Sequence, residues 1–451
     1  MKKAKGTKNT LRYDKINQRK SRKNTFKKRK STNDRNNLAP DEDFLGNDYN
    51  KVIKHLNKKH FCLNEKNNHS VKSQQTIDIP QTFSISENAE GTIKLLRNIY
   101  TLCMNPEIKK IIFNHTNCVE LGLSASTIMD IIVLAAEKYR KQLNNPLILE
   151  GQLPNNRKTR DILLAGGLPY HLNAYSKMRF DEDHVERFET IKGQHSLDAN
   201  KADETATKLT LYFDKCLRTQ NMELNDEGKR VLSRILGEVI SNCEIHGGDS
   251  ATWYTQGHYQ IIGDNLYGEM QLLFLNLGET IYEGLKNPST SQDTKRKLEY
   301  IMSKQKRYIN KKWDEEMIYT VFALQEGISR LQDADINGYE GRGSGTVSMI
   351  EMFYNIGKSQ NGLNPRMSIV SGKTQIRFTN KYKMKTVRFN NDKVFGTGDK
   401  RIIAFNDKND IYYPAKKDSV SKIKYFFPGT VISLKFYLDN RYITNRRKEN
   451  K

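Results

Sequence analysis

Gly237-Glu238-Val239-Ile240-Ser241-Asn242-Cys243-Glu244-Ile245-His246-Gly247 sets a carboxylate, an amide and an imidazole at four-residue steps in an otherwise apolar segment. An α-helix turns once in about 3.6 residues, so Glu238, Asn242 and His246 fall on one slowly drifting polar line. Val231, Leu232, Ile235, Leu236, Val239, Ile240 and Cys243 share the neighbouring face, which is expected to be buried. Gly247-Gly248 then ends the helix. A base, a metal-binding amide and a further polar group beside a core-facing stripe suit a nucleotide site. An ordinary solvated helix face has the same pattern, and this helix alone does not separate the two.

Three further segments follow in order. Leu272-Leu273-Phe274-Leu275-Asn276-Leu277-Gly278-Glu279-Thr280-Ile281 reads as a buried strand running into an amide and a glycine turn. Gly341-Arg342-Gly343-Ser344-Gly345-Thr346 precedes a helix over residues 347–353. Alternating glycines at a helix start let backbone N–H groups approach a phosphate, and the helix dipole favours the anion. Phe427-Pro428-Gly429-Thr430-Val431-Ile432-Ser433-Leu434 is a turn followed by an alternating strand.

In this order the four segments resemble the GHKL ATPase superfamily, which includes gyrase-type topoisomerases, the ninety-kilodalton heat-shock chaperone, sensor histidine kinases and mismatch-repair ATPases. The resemblance spans residues 205–437. It implies ATP and Mg²⁺ as ligands, with Glu238 activating the attacking water and Asn242 ligating Mg²⁺. Asn276 and Gly278 stand in the place of the adenine-binding box. Gly341, Arg342, Gly343, Gly345 and Thr346 correspond to the glycine box that wraps the triphosphate and roots the ATP lid. Thr430 matches the threonine that supports adenine recognition. His246 either touches nucleotide or satisfies the helix end. The chain departs from the family twice: Asn276 stands where the family has an aspartate, and Thr280 stands where it has a glycine. An amide offers adenine a neutral hydrogen bond in place of a charge-assisted one. Weaker adenine binding or relaxed base choice is therefore expected.

Composition frames these motifs. The chain has 451 residues, 36% hydrophobic and 9% aromatic, which is enough for roughly two to three domains with real cores. Its five cysteines are scattered with no CxxC pair, which argues for a reducing compartment and against a disulfide framework. No apolar run reaches membrane-spanning length, and no apolar core follows the basic N-terminus, so a cytoplasmic protein without membrane contact is expected. The formal charge is +23. Residues 1–40 carry fifteen Lys and Arg against Asp14 and Asp34, a net +13. Such an arm suits salt-sensitive contact with nucleic acid, or a solubilising or acidic-partner tail.

The expected fold class is α/β (α+β), in five segments. A basic, largely disordered arm occupies residues 1–75, with a short helix near 49–56. An α/β domain spans 76–168, with strands at 109–114 and 147–151 and helices at 91–101, 124–141 and 155–164. It resembles a STAS-type domain, in which a serine at the helix start is phosphorylated in some members; Ser124 and Ser126 sit there, where a helix cap is the favoured explanation. An irregular linker covers 169–201. The ATP-binding domain, a Bergerat-type α/β sandwich with a helical lid insertion, covers 202–440, and a basic tail covers 441–451. Within it, strands are expected at 252–262, 269–276, 367–371, 375–379, 402–404 and 430–437, and a basic helix at 294–311.

The resemblance implies a regulatory ATP-driven switch that hydrolyses Mg-ATP slowly, acts on a protein partner and dimerises with ATP. A STAS-like module and a basic arm point by analogy to a regulatory or phage-defence role near nucleic acid. Two alternatives stay open: an anti-sigma-type serine kinase and a non-catalytic ATP-binding scaffold.

Overall fold

Short β-branched strands alternate with long apolar helices over the first 170 residues, and that alternation builds a parallel sheet. The computed structural model describes residues 10–12, 45–63, 72–172, 184–194, 200–248, 251–263, 267–328, 345–355, 363–379 and 381–440. The chain is mixed α/β and divides into two units, residues 1–190 and 191–451. In the first, β1 (Thr10–Arg12), β2 (Gln74–Asp78), β4 (Lys110–Asn114) and β6 (Ile148–Gln152) form a sheet of order β1-β6-β4-β2. β2, β4 and β6 run parallel, while β1 is antiparallel to β6. Parallel neighbours need long crossovers. These are α2 (Ile85–Met104) and α3 (Leu123–Gln142). A second, two-residue parallel pair joins β3 (Thr82–Phe83) to β5 (Glu120–Leu121).

The helix near residues 49–56 is α1 (Tyr49–Lys58), which buries Val52, Ile53 and Leu56. Both α1 and α2 pack on α3. That explains why α3 is buried continuously from Leu123 to Ala136, where the sequence suggested only one broad apolar face. The cap expected from Ser124 or Ser126 is absent: Gly122 occupies the cap position without a side-chain bond. Ser124 and Ser126 are 1% and 3% exposed, and neither hydroxyl has a hydrogen-bond partner among the described residues. α4 (Arg157–Gly166) and α5 (Leu168–His171) complete the unit.

The expected linker instead contains β7 (Val185–Gly193), the edge of a five-stranded sheet of order β10-β13-β9-β8-β7. Its buried Val185, Phe188, Thr190 and Ile191 are separated by charged residues, which hid the strand in the sequence. Next come α6 (Lys201–Arg218), α7 (Asp226–His246), β8 (Thr252–Ile262) and β9 (Tyr267–Leu277). β10 (Arg366–Phe378) is one strand with register shifts around Gly372, not the two expected at 367–371 and 375–379. β13 (Val420–Leu438) lies between β10 and β9, and the β10–β13, β13–β9 and β9–β8 pairs are antiparallel. β11 (Lys385–Asp392) and β12 (Gly396–Ile402) form a separate, mostly exposed hairpin rich in Lys and Arg.

The helix of the opening motif is α7. Asn225 caps it, its side chain accepting from Gly228 N at 2.8 Å, and Gly248 leaves it at φ +86°. α7 packs against α6, β8 and β9. Leu232, Ile235, Leu236, Val239, Ile240 and Cys243 are buried as expected. Val231 is 40% exposed, although its neighbour Leu232 is buried. No helix among the described residues is long and apolar enough to cross a membrane.

Candidate functional site

Directly opposed residues in an antiparallel ladder share one face of the sheet. Ser371 pairs with Thr430, Thr430 with Asn276, and Asn276 with Trp253, so four strands contribute one polar rung on one face. Two residues along, Ile369, Ile432 and Phe274 form an apolar rung on the same face. The Ser371 and Thr430 hydroxyls lie 2.8 Å apart, and Ser371 Oγ also accepts from Ile281 N at 2.8 Å. Asn276 is 3% exposed, and its Oδ1 has no hydrogen-bond partner among the described residues.

Above this face lies a cavity of about 120 Å³. Val239, Asn242 and Cys243 of α7 form one wall, with Asn276, Thr430, Ile369 and Ile432 from the sheet. The remaining wall combines the turn after β9, the segment around Leu324 and Ile328 that follows α10 (Glu315–Phe322), and Thr346. Burial pushes the Cys243 thiol up to about 12, so it serves as an apolar wall group rather than a nucleophile.

The turn after β9 closes tightly on the end of α7. Glu279 N donates to Gly247 O at 2.7 Å, and a Cβ on Gly278 would come within 2.1 Å of that oxygen. Gly278 therefore permits a close backbone approach; it does not line the cavity. Thr280, 2% exposed, then caps α8 (Ile281–Lys286) in a reciprocal box: Glu283 N donates to Thr280 Oγ1 at 3.1 Å, and Thr280 N donates to Glu283 Oε2 at 2.9 Å. Glu279 also lines the cavity, and its Oε1 accepts from Asn287 Nδ2 at 3.0 Å.

The polar line on α7 is divided. Asn242 reaches the cavity, its Nδ2 lying 3.4 Å from Thr346 Oγ1 on α11 (Gly345–Asn355). Glu238, one turn earlier, is outside the cavity wall and lies against the start of α11: a Cβ on Gly345 would come within 2.5 Å of Glu238 Cβ and Oε2. Glycine is what lets α11 begin beside that carboxylate. His246 ends α7, and its side chain lies outside the described residues, as do Gly341, Arg342 and Gly343.

Thus Asn242, Asn276, Thr346 and Thr430 meet at one cavity, with Glu238 and Gly345 in contact beside it. Sequence reading missed Ser371, Glu279 and the apolar walls Leu324, Ile328 and Ile369. Thr280-Ile281-Tyr282-Glu283 carries a legible capping-box signature. Ser371 carries none, because only the strand register brings it to Thr430. Chemically, the cavity joins a buried amide and hydroxyls at the sheet end to a second amide, Asn242, that faces Thr346 at the N-terminus of α11. Comparisons with family models, with curated proteins and with solved structures return no match to this chain.

Proposed function

We propose that residues 202–440 form a GHKL-type ATP-binding domain, a Bergerat-type sandwich whose lid is inserted between Gly284 and Gly345. In this reading the protein is a switch that binds and slowly hydrolyses Mg-ATP to control a protein partner. The observation that carries the reading is the convergence of Asn242, Asn276, Thr346 and Thr430, from four separated segments, on one cavity. The parallel β2–β4–β6 sheet with its two crossover helices supports the STAS-like reading of the first unit.

The residues present fit the ligands. Asn276 offers a buried, unpartnered acceptor to the exocyclic amine of adenine, and Ile369 and Ile432 offer an apolar floor to the ring. Asn242 would hold Mg²⁺, which would supply neutralisation of charge on the phosphates. The positive end of the α11 dipole, at Gly345 and Thr346, favours the same anion. Glu238 takes the proton of the attacking water, and its contact with Gly345 couples its position to the root of the lid. The buried hydroxyls of Ser124 and Ser126 give no support to phosphorylation within the first unit.

Calorimetry and phosphate release test this reading. Mg-ATP is expected to bind the full-length protein, and Asn242→Ala should weaken binding about ten-fold or more only when Mg²⁺ is present. Glu238→Gln should retain binding while slowing phosphate release by about a hundred-fold or more. Absence of Mg-ATP binding to the wild type overturns the reading. Unchanged turnover in Glu238→Gln overturns its catalytic part.

A further inference from the structure

Several surface cations of the second unit face carboxylates: Lys286 with Glu315, Lys297 with Asp293, Lys416 with Asp407 and Lys422 with Asp314. A cluster of cations without such partners lies at the end of α9 (Gln292–Gln305). Lys304, Lys306, Arg307, Lys311 and Lys312 are exposed, and none forms an ion pair among the described residues. No carboxylate occurs in residues 301–313.

A loop distant in sequence adds to this surface. Buried Gln305 donates to Ile411 O at 2.6 Å and accepts from Trp313 Nε1 at 2.6 Å, which fixes the end of α9 against residues 406–413. Asn406 holds that loop's curvature, its amide donating to Asp410 O at 2.9 Å and to Tyr413 O at 3.2 Å. The result is a set of half-buried tyrosines among the cations. Tyr308 and Tyr413 stand 6.1 Å apart, and Tyr300 and Tyr412 stand 5.9 Å apart edge to face. Arg307 lies 4.8 Å from the Tyr308 ring, Lys408 lies 4.0 Å from the Tyr413 ring, and Lys304 lies 5.1 Å from the Tyr300 ring. The loop's acids are already engaged: Asp407 with Lys416 and the Tyr382 hydroxyl, and Asp410 with Tyr412 N.

We propose that this face, built from the end of α9 and residues 406–413, binds single-stranded nucleic acid. Unpaired cations attract the phosphates and gain from counterion release. The tyrosines present flat, partly desolvated rings on which unpaired bases stack, and that stacking tolerates any sequence. A duplex keeps its bases stacked on one another and cannot use the rings. The proposal is independent of nucleotide binding at the cavity and of the basic arm.

Fluorescence anisotropy of the full-length protein with a labelled oligodeoxythymidylate of about twenty nucleotides tests it. The combined Lys304→Glu, Arg307→Glu and Lys408→Glu variant should weaken binding about ten-fold or more at about 0.15 M salt. Arg307→Ala alone should reduce the slope of log affinity against log salt by about 0.7. Tyr308→Ala should weaken binding about five-fold or more with that slope unchanged, because stacking releases no counterions. All four side chains are exposed or half-buried, so melting curves should confirm intact folding. Affinity unaffected by the three charge reversals would assign any binding to the arm and overturn the proposal. Equal competition by duplex, with Tyr308→Ala neutral, would overturn the single-strand assignment.

Discussion

Asn276 decides which base the proposed site accepts. A carboxylate only accepts hydrogen bonds, whereas an amide both donates and accepts and can turn over within its pocket. Asn276 is buried on a rung with Thr430 and Trp253, and its free acceptor is already desolvated. A 6-amino purine can donate to Oδ1; a 6-oxo purine can accept from Nδ2 after the amide turns. Wild-type protein should therefore bind ATP and inosine triphosphate within about ten-fold of each other. Asn276→Asp removes the donor and sets a charge against the 6-oxo oxygen. The preference for ATP over inosine triphosphate should then rise by about ten-fold or more. Because a ratio is measured, any general destabilisation from burying the new carboxylate cancels. An unchanged ratio would mean that residue 276 does not contact the base.

At the scale of elements, short helix α8 depends on its cap. Six residues do not hold a helix through propensity alone. Thr280 and Glu283 satisfy two orphan N–H donors, and Ser371 Oγ takes a third, that of Ile281. Ile281, Gly284 and Leu285 of α8 line the cavity, so the cap also shapes its wall. Thr280→Ala should cost about 1 kcal/mol in urea unfolding and weaken Mg-ATP binding, while Thr280→Ser should preserve both. Loss of affinity in the serine variant would point to the Thr280 methyl group rather than the cap. The same elements show what the sequence could and could not disclose. The periodicity of α7 and the continuous apolar run of β9 are local, so helix, strand and the positions of Asn242 and Asn276 were legible. The cap of α8 was legible too, although Thr280 read first as a missing glycine. β7 was not, because its buried Val185, Phe188 and Ile191 alternate irregularly with charges. Ser371 and Ile369 enter the site only through a register set across four strands, and no local pattern encodes that pairing. Val231 shows the opposite failure: it obeys the helix period and is nevertheless exposed.

For the whole molecule, the two units are expected to respond differently to acid. In the first unit, burial holds His115 down to about 4 and, with the Arg187 charge, His171 down to about 3. His171 Nε2 lies 3.9 Å from Asp130 Oδ2, yet burial also raises the Asp130 carboxyl well above its usual range. The opposed shifts make this a contact between neutral groups rather than an ion pair. A histidine with a depressed pKa contributes stability above its unfolded value of about 6.5 and loses it progressively as pH falls toward its folded value. Asp130 acts in the opposite sense, being protonated in the fold, and favours the folded unit as pH falls toward about 4. Each group takes up at most one proton over this interval, so the two histidines outweigh the single carboxyl and the first unit should weaken between about pH 6.5 and pH 4, with His115 alone contributing up to about 3 kcal/mol. The chain's two tryptophans, Trp253 and Trp313, both belong to the second unit, so their emission does not report on the first. Urea unfolding followed by far-ultraviolet circular dichroism should therefore shift to lower denaturant over that interval, by more than the transition in tryptophan emission. His115→Gln should flatten the dichroism shift and leave the emission transition unmoved. If both probes moved together in the wild type, and His115→Gln left the acid response intact, buried neutral histidines would not be its cause.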